Sequence, residues 1–133
     1  MIGFVVPGEP IPFARAGAFG KRRFTPKKQS DYMGCIKLFA QQAMAGAAPL
    51  DGPLALAIRA VYLVPESWSN KRKAAAVWKS SKPDADNLAK IFKDAMSKIV
   101  FCDDAQVADL QVQKVYGLRA EIIVTVCPLD GVA

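Results

Sequence analysis

The sequence contains no histidine. That absence excludes Ser–His–Asp and Cys–His triads, histidine general bases and histidine-ligated zinc. Cysteine is scarce as well: Cys35, Cys102 and Cys127 are odd in number, far apart and without a CxxC pair. Such spacing suits reduced thiols in a cytoplasm, serving as small buried hydrophobes, and argues against structural zinc. No apolar run approaches the roughly 18 to 20 residues of a membrane span, so no membrane partner is expected. The opening MIGFVVPGEP lacks the basic and long apolar segments of a signal peptide. Acidic residues are the minority charge, 12 against 18 Lys and Arg, which leaves a net +6 and a pI near 9.4. This balance suggests a polyanionic partner, although charge speaks to association and not to reaction. Any hydrolysis here must rest on carboxylates, lysines and a hard cation with oxygen ligands.

What is present reads as one domain over residues 1–133, with a hydrophobic fraction of 52% to build a core. The periodicity predicts an α/β (α+β) fold: a small mixed sheet with strands near 2–6, 54–64, 107–116 and 119–127, and helices near 27–45 and 84–98 packed on it. In LALAIRAVYLV (54–64) both faces are largely apolar, which predicts a central strand covered on both sides. The last two strands, separated by a tight connection at Gly117, read as a hairpin. Within 27–45, Tyr32, Met33, Ile36, Leu38, Phe39, Ala40 and Ala43 recur at helical spacing, a structural face and a candidate subunit interface.

Two basic stretches flank this framework. PGEPIPFARAGAFGKRRFTPKK interleaves Arg15, Lys21, Arg22, Arg23, Lys27 and Lys28 with Phe13, Phe19 and Phe24. Each phenylalanine alone is explained by packing into the core. The loop as a whole points to nucleic acid, since cations beside aromatics suit phosphate contact plus base stacking. A second patch, Lys71, Arg72 and Lys73, falls on a short helix (NKRKAAAVWK) that Ser69 or Asn70 would cap, with Lys79 and Lys82 after it.

That second patch leads into KPDADNLAKIFKDAMSKIVFCDD. Asp84, Asp86, Asp94, Asp103, Asp104 and nearby Asp109 make up half of the chain's 12 acidic residues. Leu88, Ile91, Phe92, Ala95, Met96 and Ile99 trace one buried helical stripe, while Asp86, Lys90, Asp94 and Lys98 step by four along another face. Taken singly, the acids have structural explanations. Asp84 suits an N-cap, Asp86 the helix dipole, Asp86–Lys90 and Asp94–Lys98 ordinary pairs, and Asp103-Asp104 a turn. For Asp94 the structural explanation suffices. Asp84 and Asp86 instead sit where an extended segment turns into a helix, so both carboxylates can converge on one divalent ion. Asp103 or Asp104 could return a third carboxylate to the same place, and Lys90 would lie beside it, able to offset charge on a phosphate.

The run Lys82-Pro83-Asp84-Ala85-Asp86-Asn87-Leu88, then Lys90, Asp94-Ala95 and Asp103-Asp104-Ala105-Gln106-Val107, resembles the RusA family of Holliday junction resolvases, endodeoxyribonucleases of bacteria and their prophages. The P-G-x-P…R of the N-terminus, followed by basic residues and T-P, is similar to many members as well. The resemblance implies a homodimeric α/β protein that binds four-way DNA and nicks two strands symmetrically with Mg²⁺ or Mn²⁺, in recombination and repair. It implies that Asp84, Asp86 and Asp104 bind metal in catalysis and that Lys90 is the catalytic lysine. Asp103 matches a position tied less firmly to chemistry. Two competing readings are a module that binds branched DNA without cutting it, and a nuclease for flaps or RNA.

Overall fold

The structure is a computed structural model that describes residues 1–10 and 27–130. Its elements are β1 (Ile2–Pro7), α1 (Lys27–Met44), β2 (Leu54–Leu63), α2 (Asn70–Ala75), α3 (Ala85–Met96), a 3₁₀ turn (Asp104–Gln106), β3 (Val107–Gly117) and β4 (Glu121–Pro128). The expected strands and the two long helices are all present. Together they form a mixed four-stranded sheet in the order β1-β4-β2-β3. Arg15, Lys21, Arg22, Arg23 and the three loop phenylalanines lie outside the described residues, while Lys27 and Lys28 open α1.

Alternation along the strands decides which face is buried. Leu54, Leu56, Ile58, Ala60 and Tyr62 of β2 line up with Val126, Val124 and Ile122 of β4, which in turn align with Phe4 and Val6 of β1. These side chains share one core with Ile36, Ala40 and Met44 of α1 and Leu88, Ile91, Phe92 and Met96 of α3. Both long helices therefore pack on the same face of the sheet. The apolar stripe of α1 is thereby used within the chain, and Leu38, at 52% exposure, points away from it.

Three expectations need correcting. β2 is central, but only one of its faces is covered: Ala55, Ala57 and Val61 are half-buried, and Arg59 and Leu63 are exposed. Small alanines and an arginine bonded to Gln113 of β3 (3.2 Å) make that second face tolerable to water. The cysteines are not buried either. Cys35 is half-buried, Cys102 lies exposed in a turn, and Cys127 is exposed near the end of β4.

The last two strands are not a hairpin. β3 runs parallel to β2 (Ala60 opposite Lys114), and β4 runs antiparallel along the other edge of β2 (Ala60 opposite Ile122). The connection Leu118-Arg119-Ala120 carries none of the Asn-Gly or Asp-Gly chemistry of a two-residue hairpin turn. Interior placement buries Ile122, Val124 and Val126 completely, whereas the polar strand β3 takes the edge, with residues 108–111 exposed. A parallel β2–β3 pair needs a crossover, and α3 lies on it.

Gly117 serves this crossing by lacking a side chain. A Cβ there would lie 2.6 Å from Cγ1 of Val61. Gly117→Ala is therefore expected to cost roughly 1–3 kcal/mol in urea unfolding through overpacking. A Val61→Ala background should relieve most of that loss.

Candidate functional site

The candidate residues are positioned by the segment that joins α2 to α3. Ser69 caps α2, its hydroxyl accepting from the Arg72 backbone N–H at 3.2 Å. The helix stops at Ala75, short of the expected length, because the next residues add to the free edge of β3. The Tyr116 N–H donates to the Val77 carbonyl and the Lys79 N–H to the Lys114 carbonyl, each at 2.9 Å.

Past this edge the chain is tied down by lysine side chains. Lys114 Nζ, from β3, donates to the carbonyl oxygens of Ser81 and Pro83, both at 2.7 Å. Lys79 Nζ adds a bond to Ser81 Oγ at 2.9 Å. These contacts fix the backbone immediately before Asp84. Sequence reasoning missed Lys114; its only available signal was a charge in a strand position aligned with the buried Ala60.

Asp84 occupies the N-cap position of α3 with extended backbone, but its carboxylate makes no capping bond. Its carbonyl takes the first helical bond, from the Leu88 N–H at 3.2 Å. Asp86 sits in the first turn. Both carboxylates are exposed, and among the described residues neither is engaged by a hydrogen bond or ion pair. The capping explanation thus accounts for the backbone of Asp84 and leaves its carboxylate available. Lys90, one turn further on, has its Nζ 3.9 Å from Asp94 Oδ2, a solvent-exposed i,i+4 pair. α3 ends at Met96, so Lys98 is not on its face; it follows in a left-handed conformation with φ 72°.

Asp103 and Asp104 belong to a separately built corner. Asp103 caps the 3₁₀ turn, accepting from the Ala105 N–H at 2.9 Å. The Gln106 side-chain oxygen accepts from the N–H groups of Cys102 (2.9 Å) and Asp103 (3.0 Å). Its amide nitrogen donates to the carbonyls of Leu50 (2.9 Å) and Gly52 (3.0 Å). The Ala105 N–H, with the nearby Lys98 charge, holds the Asp103 carboxyl below the usual aspartate range. The turn explanation therefore fits Asp103 in full, while Asp104 is exposed beside it.

The two acidic groups do not meet within one chain. Among the described residues no three Asp, Glu, Cys or His side chains are close enough to hold a metal ion. The reason is the helix between them: α3 has 12 residues, which at about 1.5 Å rise each separates its ends by roughly 18 Å. The return of Asp103 and Asp104 to the place of Asp84 and Asp86 is thus not met inside a single chain. The donor chemistry still suits Mg²⁺ or Mn²⁺, since all four side chains offer hard carboxylate oxygens.

Of the second basic patch, Lys71 and Arg72 are exposed and Lys73 is half-buried. The Arg72 guanidinium lies 3.6 Å over the Trp68 ring. Among the described residues no helix is long and apolar enough to cross a membrane.

A cationic α+β protein that displays exposed carboxylates at a helix start, shortly after a segment rich in basic and aromatic side chains, has features suited to acting on nucleic acid. Its family is identifiable from sequence: the model of the family Endodeoxyribonuclease RusA matches residues 7–127, and the chain belongs to that family. It is also similar to the uncharacterized protein YqaN of Bacillus subtilis (strain 168), 30% identical over 135 residues that cover 94% of each chain.

Proposed function

We propose that this protein is a divalent-metal-dependent endodeoxyribonuclease that resolves Holliday junctions by paired symmetric nicks. The observation that carries the proposal is the exposed Asp84–Asp86 pair at the start of α3, unengaged among the described residues, in a chain matched to RusA across residues 7–127. Asp84, Asp86 and Asp104 would hold Mg²⁺ or Mn²⁺, whose Lewis acidity serves attack by water and departure of the leaving oxygen. The Lys90 ammonium offsets negative charge as it builds on the scissile phosphate. Asp103 keeps the turn that presents Asp104, and Lys114 keeps the backbone that presents Asp84. Lys71, Arg72 and Lys73, with the basic residues between Arg15 and Lys28, contact phosphates and position the DNA. Because α3 separates Asp84 and Asp86 from Asp104, a twofold pair of chains is the economical way to assemble the set. It would also supply the two cuts that junction resolution requires.

The test is cleavage of a synthetic four-way junction in Mg²⁺, compared with flap, linear duplex and RNA substrates. Symmetric nicks in the junction alone support the proposal. An uncut junction that is still bound makes the protein a branched-DNA-binding module, and preferential cutting of flaps or RNA makes it a different nuclease. Lys114→Met, which removes both ties to Ser81 and Pro83, is expected to lower single-turnover cleavage on the order of 10- to 100-fold through misplacement of Asp84. Junction affinity should change little, and gel-shift titration alongside the cleavage assay separates the two effects.

A further inference from the structure

We propose that the cleft between α2 and the edge of β3 binds a nucleobase swung out of the DNA strand. The cleft measures about 620 Å³ and is lined by Trp68, Arg72, Trp78, Ser80, Ser81 and Tyr116, among others. That volume lies within the range of small-molecule sites, roughly 300–1,000 Å³. The proposal goes beyond the nuclease reading and rests on it only for the source of the base, a nucleotide near the cut.

Three observations specify this occupant. First, the aromatic surface is prepared and left open. Trp78 is 63% exposed and its neighbour Val77 56% exposed, an unfavourable surface to leave in water without a ligand. Second, the walls are held in place. The Trp68 and Tyr116 rings meet edge to face at 5.3 Å, and the guanidinium carbon of the exposed Arg72 lies 3.6 Å from the centre of the Trp68 ring. A base can stack on an indole or on the outer plane of such a guanidinium, and it can do so without regard to sequence. Third, the charge is complementary to a nucleotide. No described lining residue is acidic, Lys79 stands beside Tyr116 with its Nζ 5.6 Å from the ring centroid, and Ser81 is one of the residues anchored by Lys114 just before Asp84. A strand laid with its phosphates along these cations would bring one base to the aromatic walls while the neighbouring phosphate approaches Asp84 and Asp86.

The chain has 2 tryptophans and both line this cleft, so tryptophan emission reports on it alone. The full-length protein in EDTA is titrated with a short oligodeoxythymidylate and with an abasic strand of equal length, which carries the same phosphates but no bases. The thymidylate is expected to quench the emission saturably and the abasic strand to leave it unchanged. Trp78→Ala, at an exposed position outside the core, should weaken thymidylate binding on the order of tenfold and leave abasic-strand binding as it was; Trp78→Phe should restore most of the loss. Equal binding of both strands without quenching, or wild-type thymidylate affinity in Trp78→Ala, would overturn the proposal. Junction cleavage by the same preparation in Mg²⁺ keeps the two ideas apart. Cleavage without quenching removes the base site and leaves the nuclease; quenching without cleavage does the reverse; and neither result removes both.

Discussion

Asp86→Asn is expected to bind a four-way junction as tightly as the wild-type protein and to leave it essentially uncut. Asp86 is exposed in the first turn of α3 and has no described hydrogen-bond partner, so asparagine takes its place without disturbing packing. What changes is one charged oxygen donor to a hard cation. If that cation stabilises the transition state by several kcal/mol, its loss lowers single-turnover cleavage by about 1,000-fold. Binding rests on Lys and Arg contacts to phosphate, and removing a negative charge does not weaken those. Labelled-junction cleavage and gel-shift titration on one preparation report both quantities. Wild-type cleavage by Asp86→Asn would remove this residue from the chemistry.

The largest effect on stability is expected at Phe92. Its side chain is fully buried and meets Tyr32 of α1 edge to face, with ring centroids 6.3 Å apart and planes at 85°. It is thus one of the contacts that join the two long helices over the sheet. Phe92→Ala removes the ring and leaves a cavity, at a cost of about 3–5 kcal/mol. Domains of this size are stable by only about 5–15 kcal/mol, so the urea midpoint should fall steeply with little change in slope. A loss below about 1 kcal/mol would mean that the α1–α3 contact is not part of the core. Burial acts on the same neighbourhood in another way, pushing the hydroxyls of Tyr32 and Tyr62 well above the usual tyrosine range; among the described residues neither hydroxyl has a hydrogen-bond partner.

The elements legible in the sequence were those with a strong internal period. Leu88, Ile91, Phe92, Ala95 and Met96 announced α3, and the alternation of Ile122, Val124 and Val126 announced β4, because burial acts on each side chain locally. Strand order was not legible. Whether β4 pairs with β3 or with β2 depends on which edge offers more apolar surface, and Gly117 looked like a turn residue when its use is to admit the Val61 methyl. The end of α3 was misjudged because Ile99 continues the helical stripe by spacing, yet it lies beyond the helix. A motif read along the chain carries no distances, whereas the 12 residues of α3 hold the two ends of this one apart within a single chain. Lys114 was invisible for a related reason: its partners are backbone carbonyls more than thirty positions away.

On the proposed reading, the carboxylates of Asp84, Asp86 and Asp104 together hold a divalent cation. Mn²⁺ binding to the DNA-free protein, followed by electron paramagnetic resonance alongside sedimentation to record the assembly state, tests it without reference to activity. Bound Mn²⁺ is expected in the wild-type protein and is expected to be lost in Asp84→Asn, Asp86→Asn and Asp104→Asn taken one at a time, with retention in Asp94→Asn. Equal Mn²⁺ occupancy in all of these variants, or none in the wild type in any assembly state, would contradict it.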